Sequence, residues 1–338
     1  MCAMQMRPED WLKVIRGEYL DDFVLHGGAA VKFAVPAGDA ERSAAQAGLE
    51  AAAAAAGYQF AGVDSALTKI HMVDRLFHEV ARQIDWDGLA LRFVTGLLEE
   101  HDYRLQPDRD HLDLHEIAAQ NQYQEAELRR DLRRWLATRI YEEPGMSREF
   151  RVAMLRLCQA RLDPSDVSPA ESDAIKQWLC GELRLLSSLK PSLIYQKIAR
   201  HNARYMLYSL VRWLRLSGRA GLVLGLDITQ CAADRASTPE GSLYYSKPAA
   251  MDAYELLRQL VDGVDELSNC LIVVLASPLF LTDPIKGLGS YEALKLRIWD
   301  EVRDREIPNP MAALMRLSGS APDRLPAYLS ERSEERHG

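Results

Sequence analysis

Residues 221–226 (Gly-Leu-Val-Leu-Gly-Leu) form a continuous apolar run that ends on Asp227, and residues 270–276 (Cys-Leu-Ile-Val-Val-Leu-Ala) form another. Both have the length of a strand, and neither alternates apolar with polar residues. A strand that is apolar on both faces has to be covered on both faces, which is the situation of a parallel sheet between layers of helices. A third run, 29–35, leads through a turn with Pro36 and Gly38 into an alanine-dense helix expected over 40–56. Gly57 closes that helix, and a further strand is expected over 58–63, ending at Asp64. Strand, loop, helix and strand within about 35 residues make a βαβ unit, whose crossover returns the chain parallel.

The remaining pattern divides the chain into segments. Residues 1–28 read as an N-terminal helical arm, with a short helix over 9–19 and the doublet Gly27-Gly28 behind it. Residues 29–66 hold the βαβ unit. From 67 to 216 the signal is helical: Ile70, Val73, Leu76, Phe77 and Val80 fall at helical spacing, as do Leu128, Leu132, Trp135 and Leu136. This stretch is expected to be a large all-helical insertion between strands of one sheet. Residues 217–317 complete the α/β core, with helices expected over 251–267 and 291–303, and 318–338 form a polar tail. The expected fold is therefore α/β with three layers.

Composition removes several classes of function. A net charge of −8 argues against bulk binding to nucleic acid or an anionic membrane, leaving only local basic stripes for such a role. No apolar run is long enough to span a bilayer, and the first ten residues lack the basic-then-apolar layout of a secretory signal. The five cysteines (Cys2, Cys158, Cys180, Cys231, Cys270) are scattered, odd in number and without a CxxC pair. That usage suits reduced thiols in a cytoplasmic protein and no zinc site. His111 and His115 stand four apart beside Asp110 and Asp113, but no matching ligand cluster occurs elsewhere, so an exposed polar face is expected and no metal site is assigned.

A carboxylate at the C-terminal end of a buried parallel strand has the layout of a Walker B element, which holds Mg²⁺ beside nucleotide phosphates. A hydrolysing enzyme of that type usually follows the Asp with a Glu, and here the next residue is Ile228. The matching phosphate loop would be G-x-x-x-x-G-K-[ST], whose amides and Lys cradle the phosphates. This chain has Pro36-Ala-Gly-Asp-Ala-Glu-Arg-Ser43 in that place. Arg42-Ser43 stands for Lys-Ser, but proline removes an amide donor, and Asp39 and Glu41 bring negative charge to where phosphates would sit. Like charges at close range cost about 4 kcal/mol at an effective dielectric near 20.

Trp178-Leu-Cys-Gly-Glu182, followed by the run from Asn202 through Arg212-Trp-Leu-Arg215 to Asp227, resembles the P-loop ATP-binding proteins of BREX-type bacterial anti-phage operons, the BrxD-like family. Glu18-Tyr-Leu-Asp-Asp22, Leu275-Ala-Ser-Pro278 and Ser290-Tyr-Glu-Ala-Leu-Lys-Leu-Arg297 add to the likeness, and Asn309-Pro310 with Met315-Arg-Leu317 resemble the start of that family's helical lid. The likeness spans residues 10–317 and rests on motif order. The family is similar to AAA+ ATPases of the origin-recognition type, so the resemblance implies an AAA+-like P-loop domain, here with a truncated C-terminal lid because few residues follow Leu317. It implies phosphate-loop roles for Arg42 and Ser43, a Mg²⁺-ligand role for Asp227, a sensor position for Ser277, and a cation offered to a neighbour by Arg297. The departures at Glu41, Ile228 and the lid point together to a pseudo-ATPase with no catalytic residues of its own.

The expected function is thus a non-catalytic adaptor or regulatory subunit of a prokaryotic anti-phage defence complex. It would contact other proteins of its operon, such as an active ATPase paralogue, reach DNA through the complex, use no cofactor and stay off membranes. One alternative is a divergent but active ATPase that binds ATP and Mg²⁺ and draws a Glu, such as Glu240, from another segment. Another is a DNA-binding module built on Arg129, Arg130, Arg133 and Arg134. For that basic helix a solvated face with packed stems is the plainer reading, and for the helix carrying Tyr205, Tyr208, Trp213 and Leu216 core packing is plainer than a platform for bases.

Overall fold

The computed structural model describes residues 5–105, 112–162, 166–299 and 309–321. Two compact units are present: Met1–Met72 with Ala220–Gly338, and Val73–Arg219.

The first unit is built on a six-stranded, all-parallel sheet. Its strands are β1 (Gln5–Met6), β2 (Ala29–Pro36), β3 (Gln59–Asp64), β4 (Leu222–Asp227), β5 (Cys270–Leu275) and β6 (Leu314–Leu317), in the spatial order β1-β6-β2-β5-β4-β3. Every residue of β4 and β5 is buried, as their unbroken apolar composition requires. On one face lie α1 (Pro8–Val14), a π-helical stretch Ile15–Phe23 and α2 (Asp39–Ala55). Trp11, Ile15, Tyr19 and Leu20 from the first two, with Ala45, Leu49 and Ala53 of α2, pack on Ala34, Val223, Leu271, Val273 and Met315 of the sheet. Tyr254 and Phe280 lie with the opposite parity of the sheet, where the Phe280 ring stacks on Phe33 at 6.3 Å. This α/β architecture is compatible with a P-loop ATPase-like domain.

Two strands were not expected from the sequence. Met315-Arg-Leu317, read as the start of a helical lid, belongs instead to β6, which pairs in parallel with Phe33–Pro36 of β2 and with β1. Met315 and Leu317 are buried on the sheet while Leu314 and Arg316 are partly open, an edge-type alternation too short to stand out from sequence. The short helix expected over 9–19 runs on as π-helical turns to Phe23. Of the helix expected over 291–303, Glu292–Ile298 is helical; its continuation from 300 lies outside the described residues, as does the polar tail beyond 321.

The second unit is helical among its described residues, with α3 (Val73–Arg82), α4 (Trp86–Glu100), α5 (Leu114–Gln120), α6 (Glu125–Tyr141), α7 (Arg148–Leu162), α8 (Pro169–Leu179) and α9 (Ala203–Leu216). Leu128, Leu132, Leu136 and Ile140 recur every fourth residue on α6, and all are fully buried, so one face of that helix supplies core. Three starts carry side-chain caps: Asp85 accepts from Gly88 N, Asp113 from His115 N and Glu116 N, and Ser168 from Glu171 N, the last with Pro169 at the first helical position. Trp213 is buried against Phe93, with ring centroids 4.8 Å apart, so its indole is core and offers no face to a base.

Candidate functional site

In an open parallel sheet the ligand crevice lies outside the carboxyl ends of the strands, where successive crossovers leave in opposite directions. Here β2 sends its crossover through α2 towards β3, while the chain leaving β5 passes to β6 on the other side of β2. The carboxyl ends of β2, β5 and β4 therefore mark the corner to inspect. Asp227, the last residue of β4, is only 7% exposed and stands in register with Asp64 on β3 and Leu275 on β5. It has the parity of Val223, which packs under α2, so its carboxylate projects on the α2 side.

The start of α2 meets it there. Pro36 ends β2 and Asp39 begins α2, so the connection is Ala37 and Gly38 alone. One turn into the helix, Arg42 Nη1 donates to Asp227 Oδ2 at 3.3 Å and to Thr229 Oγ1 at 3.2 Å, and Nη2 donates to Asp39 Oδ1 at 2.8 Å. The other oxygen of Asp227 accepts from Thr229 N at 2.9 Å. Glu41 turns outward from the same turn, and its Oε1 accepts from Gly319 N at 3.2 Å. Asp64 adds a second carboxylate across from Asp227. Partial burial pushes its pKa up and so does Asp227, while the Ala66 amide and Arg42 pull it down.

This corner is a set of internal contacts whose backbone geometry departs from that of a phosphate loop. Such a loop wraps the phosphates with successive backbone amides. Two residues cannot make that wrap: Pro36 has no amide hydrogen, and Ala37 N is spent on Leu317 O at 2.8 Å. The first turn of α2 carries Asp39 and Glu41, whose negative charge at the positive end of the helix opposes an incoming anion. Among the described residues, the cation bonded into this corner is Arg42, which is shared among Asp227, Asp39 and Thr229. Ile228, in the place of a catalytic Glu, is 2% exposed and packed inward.

The other residues singled out from sequence are dispersed. Ser43 is exposed on α2, one residue beyond Arg42. Ser277 follows β5, and its Oγ is buried without a hydrogen-bond partner among the described residues. Arg297 sits on α11 (Glu292–Ile298) and is paired through Nε with Asp262 of α10 (Lys247–Asp262), while its Nη1 donates to Ala293 O at 2.6 Å. The Arg297–Asp262 hydrogen bond, with burial opposing it, holds the Asp262 carboxyl below its usual range. Glu240 is exposed and makes no hydrogen bond or ion pair among the described residues.

On α6, Arg129 pairs with Glu125 at 2.8 Å, Arg133 forks onto Asp166, and Arg134 pairs with Asp131 at 3.1 Å; Arg130, 73% exposed, has only a 3.9 Å approach to Asp131. Among the described residues no group of three or more His, Cys, Asp or Glu side chains could hold a metal ion. Asp110 and His111 lie outside the described residues; His115 pairs with Glu125 at 3.4 Å, and Asp113 caps α5.

Sequence reasoning overlooked Asp64 and Thr229 as members of the corner. The signal was present for Asp64, since two parallel strands that both end on Asp must bring those carboxylates side by side when they are neighbours. Nothing marked β3 and β4 as neighbours across the long helical stretch between them.

Comparison with known families finds that a model of the family described as BREX system ATP-binding protein BrxC/D matches residues 112–332. The match takes in Asp227, Ser277, Arg297 and the basic segment of α6; the β2–α2 connection with Arg42 and Ser43 lies outside it. No curated protein and no solved structure matches the chain.

Proposed function

Because the chain belongs to the BREX system ATP-binding protein BrxC/D family, we propose that it serves such a defence system as a non-catalytic, ATPase-fold adaptor or regulatory subunit. It acts by contacting other proteins of its operon, and needs neither ATP nor Mg²⁺ to do so. The observation that carries this reading is the placement of Arg42. Its guanidinium is bonded to Asp227, the carboxylate a Mg²⁺ ion would use, and only Ala37 and Gly38 connect β2 to α2, too few for a phosphate loop. Further support comes from Glu41, which ties the helix start to Gly319 and blocks an anionic approach with its own charge. Isothermal titration with ATP–Mg²⁺ tests the reading. No heat of binding and no turnover are expected, whereas micromolar binding followed by hydrolysis would sink it.

A second reading is favoured by one observation: the buried strand β4 ends on Asp227, although Ile228 stands where a hydrolysing enzyme of this layout carries Glu. A divergent but active ATPase would have to release Arg42 from Asp227 before nucleotide could enter. On that reading Asp227→Asn abolishes hydrolysis, and a wild-type protein with no measurable rate removes it.

A further inference from the structure

The Trp178–Glu182 motif takes no part in the corner around Asp227. It closes α8 and opens a loop over 180–202 that is held firmly from within the helical unit. Leu189, Ile194 and Ile198 are buried, Trp178 Nε1 donates to Gln196 O at 2.9 Å, and Asn202 ties itself to Ala199 N and Lys197 O. A loop with that many inward anchors has no internal use for apolar groups on its outer side. Yet Leu185, Leu193 and Tyr195 are 66%, 60% and 60% exposed. Leu193 is also held at a φ of 57°, a left-handed conformation that costs a residue with a side chain roughly 1–2 kcal/mol.

Beside the loop is a hollow of about 230 Å³, lined in part by Trp178, Leu183, Leu186 and the ring of His78, which is 6% exposed. Gly181, at a φ of 72°, lies so close to that ring that a Cβ would come within 2.6 Å of His78 Cδ2; the motif's glycine is what lets the backbone close over the histidine. A neighbouring hollow of about 380 Å³ shares Leu183 and reaches Arg184 and Leu185. Each is at or below the lower range of sites for drug-sized molecules, and the first matches a single side chain in size.

Charge decides what would fill them. Residues 180–202 hold four basic residues and one acidic, in a chain whose net charge is −8. The acidic one, Glu182, is taken by Arg82 at 3.1 Å, while Arg75 and Lys197 line the smaller hollow with no ion-pair partner among the described residues. We propose that the 180–202 loop is a docking surface for an acidic, amphipathic segment of a partner protein, which places an apolar side chain in the smaller hollow and carboxylates against Arg75 and Lys197. A single-stranded nucleic acid suits the surface less well. Leu185 and Leu193 are aliphatic, Tyr195 and His201 are the exposed rings on the loop and stand six residues apart, and Asp74 lines the hollow, whereas base recognition uses successive stacking platforms along a positively charged groove.

This inference gives the adaptor reading a surface, but it stands on the helical unit and not on the nucleotide corner. The test uses the full chain and labelled peptides of about 15 residues, tiled across the proteins encoded beside it and followed by fluorescence anisotropy. Peptides that are acidic and amphipathic should bind and weaken as salt rises. Lys197→Glu and Leu193→Asp should each weaken that binding by about tenfold or more without loss of helical circular dichroism. Overturning results are binding by none of the peptides, binding untouched by both variants, tighter binding of a single-stranded oligonucleotide, or a concentration-dependent dimer that the same variants abolish. ATP titration of the same preparation remains a separate readout, so a protein that hydrolyses ATP yet binds these peptides ends the adaptor reading and keeps the docking surface.

Discussion

Arg42 Nη1 lies 3.3 Å from Asp227 Oδ2, joining the first turn of α2 to the end of β4 across 185 positions of sequence. The pair is half-enclosed, with the Asp227 side chain 9% and the Arg42 side chain 31% exposed. Removing the cation leaves a nearly buried carboxylate facing Asp64 across the strands. Arg42→Ala should therefore lower stability by about 1–2 kcal/mol, less than a fully buried pair because solvent screens part of the interaction. Arg42→Lys should fall between, since an ammonium cannot span Asp227, Thr229 and Asp39 as a fork does. Urea unfolding of the three proteins measures this, and an unchanged Arg42→Ala midpoint would remove the corner's structural role.

Gly221 precedes β4 at a φ of 147°, and a Cβ there would lie 2.0 Å from Asn269 O. That carbonyl accepts from Leu222 N at 3.0 Å, so it cannot retreat without opening the ladder between β4 and β5. Gly221→Ala should cost more than about 3 kcal/mol, through backbone strain and a hard clash together. Thermal melting or soluble yield reads the loss, whereas Gly289→Ala, with open space at its Cβ, should leave both close to wild type.

Lys32 is 4% exposed within β2 and donates from Nζ to Tyr19 Oη at 3.0 Å, Met311 O at 2.8 Å and Ala312 O at 2.5 Å. Burial lowers its pKa from 10.5 to about 8. Below pH 8 both folded and unfolded chains hold the proton, and the cost of burying charge is fully present. Between pH 8 and 10 the folded chain releases a proton that the unfolded chain keeps, so this residue's contribution to stability rises with pH, by about 2 kcal/mol over that window. Tyr19, pushed up to about 12 by burial first and by Glu18, keeps its proton throughout. The stability difference between wild type and Lys32→Met, followed by denaturant unfolding, should shift towards wild type as pH rises from 8 to 10. A flat difference would show that the ammonium is not desolvated.

Of the four described thiols, Cys158, Cys231 and Cys270 are buried, and burial pushes all three thiol pKa values up, that of Cys270 to about 12. Cys180 is partly exposed and raised less strongly, by burial first and then by Glu182. In a Cys2→Ser background, a thiol reagent such as DTNB should label Cys180 in the native protein and reach the other three only after unfolding. Fast native labelling of Cys231 would mean that the segment after β4 opens readily.

Much of the first unit could be read in advance, because its central strands are apolar on both faces and its alanine-dense crossover helix is closed by Gly57. The expected runs at 29–35, 58–63, 221–226 and 270–276 differ from β2, β3, β4 and β5 by a residue at their ends. β1 and β6 escaped notice because two or four residues at a sheet edge carry too little pattern. The π-helical turns at Ile15–Phe23 were also hidden, since a helical period does not distinguish α from π winding over nine residues.

Sequence alone determined which segments form buried strands, that a carboxylate ends β4, and that the loop before α2 lacks the residues of a phosphate cradle. These follow from local composition and hydropathy, which act over a few residues. Only the tertiary structure decided that Asp64 stands beside Asp227, that Arg42 reaches both Asp227 and Thr229, and that Arg297 is taken up by Asp262. Those relations depend on strand order and on where a long side chain finds its opposite charge, and Coulomb attraction between groups far apart in sequence leaves no mark on the local pattern of either.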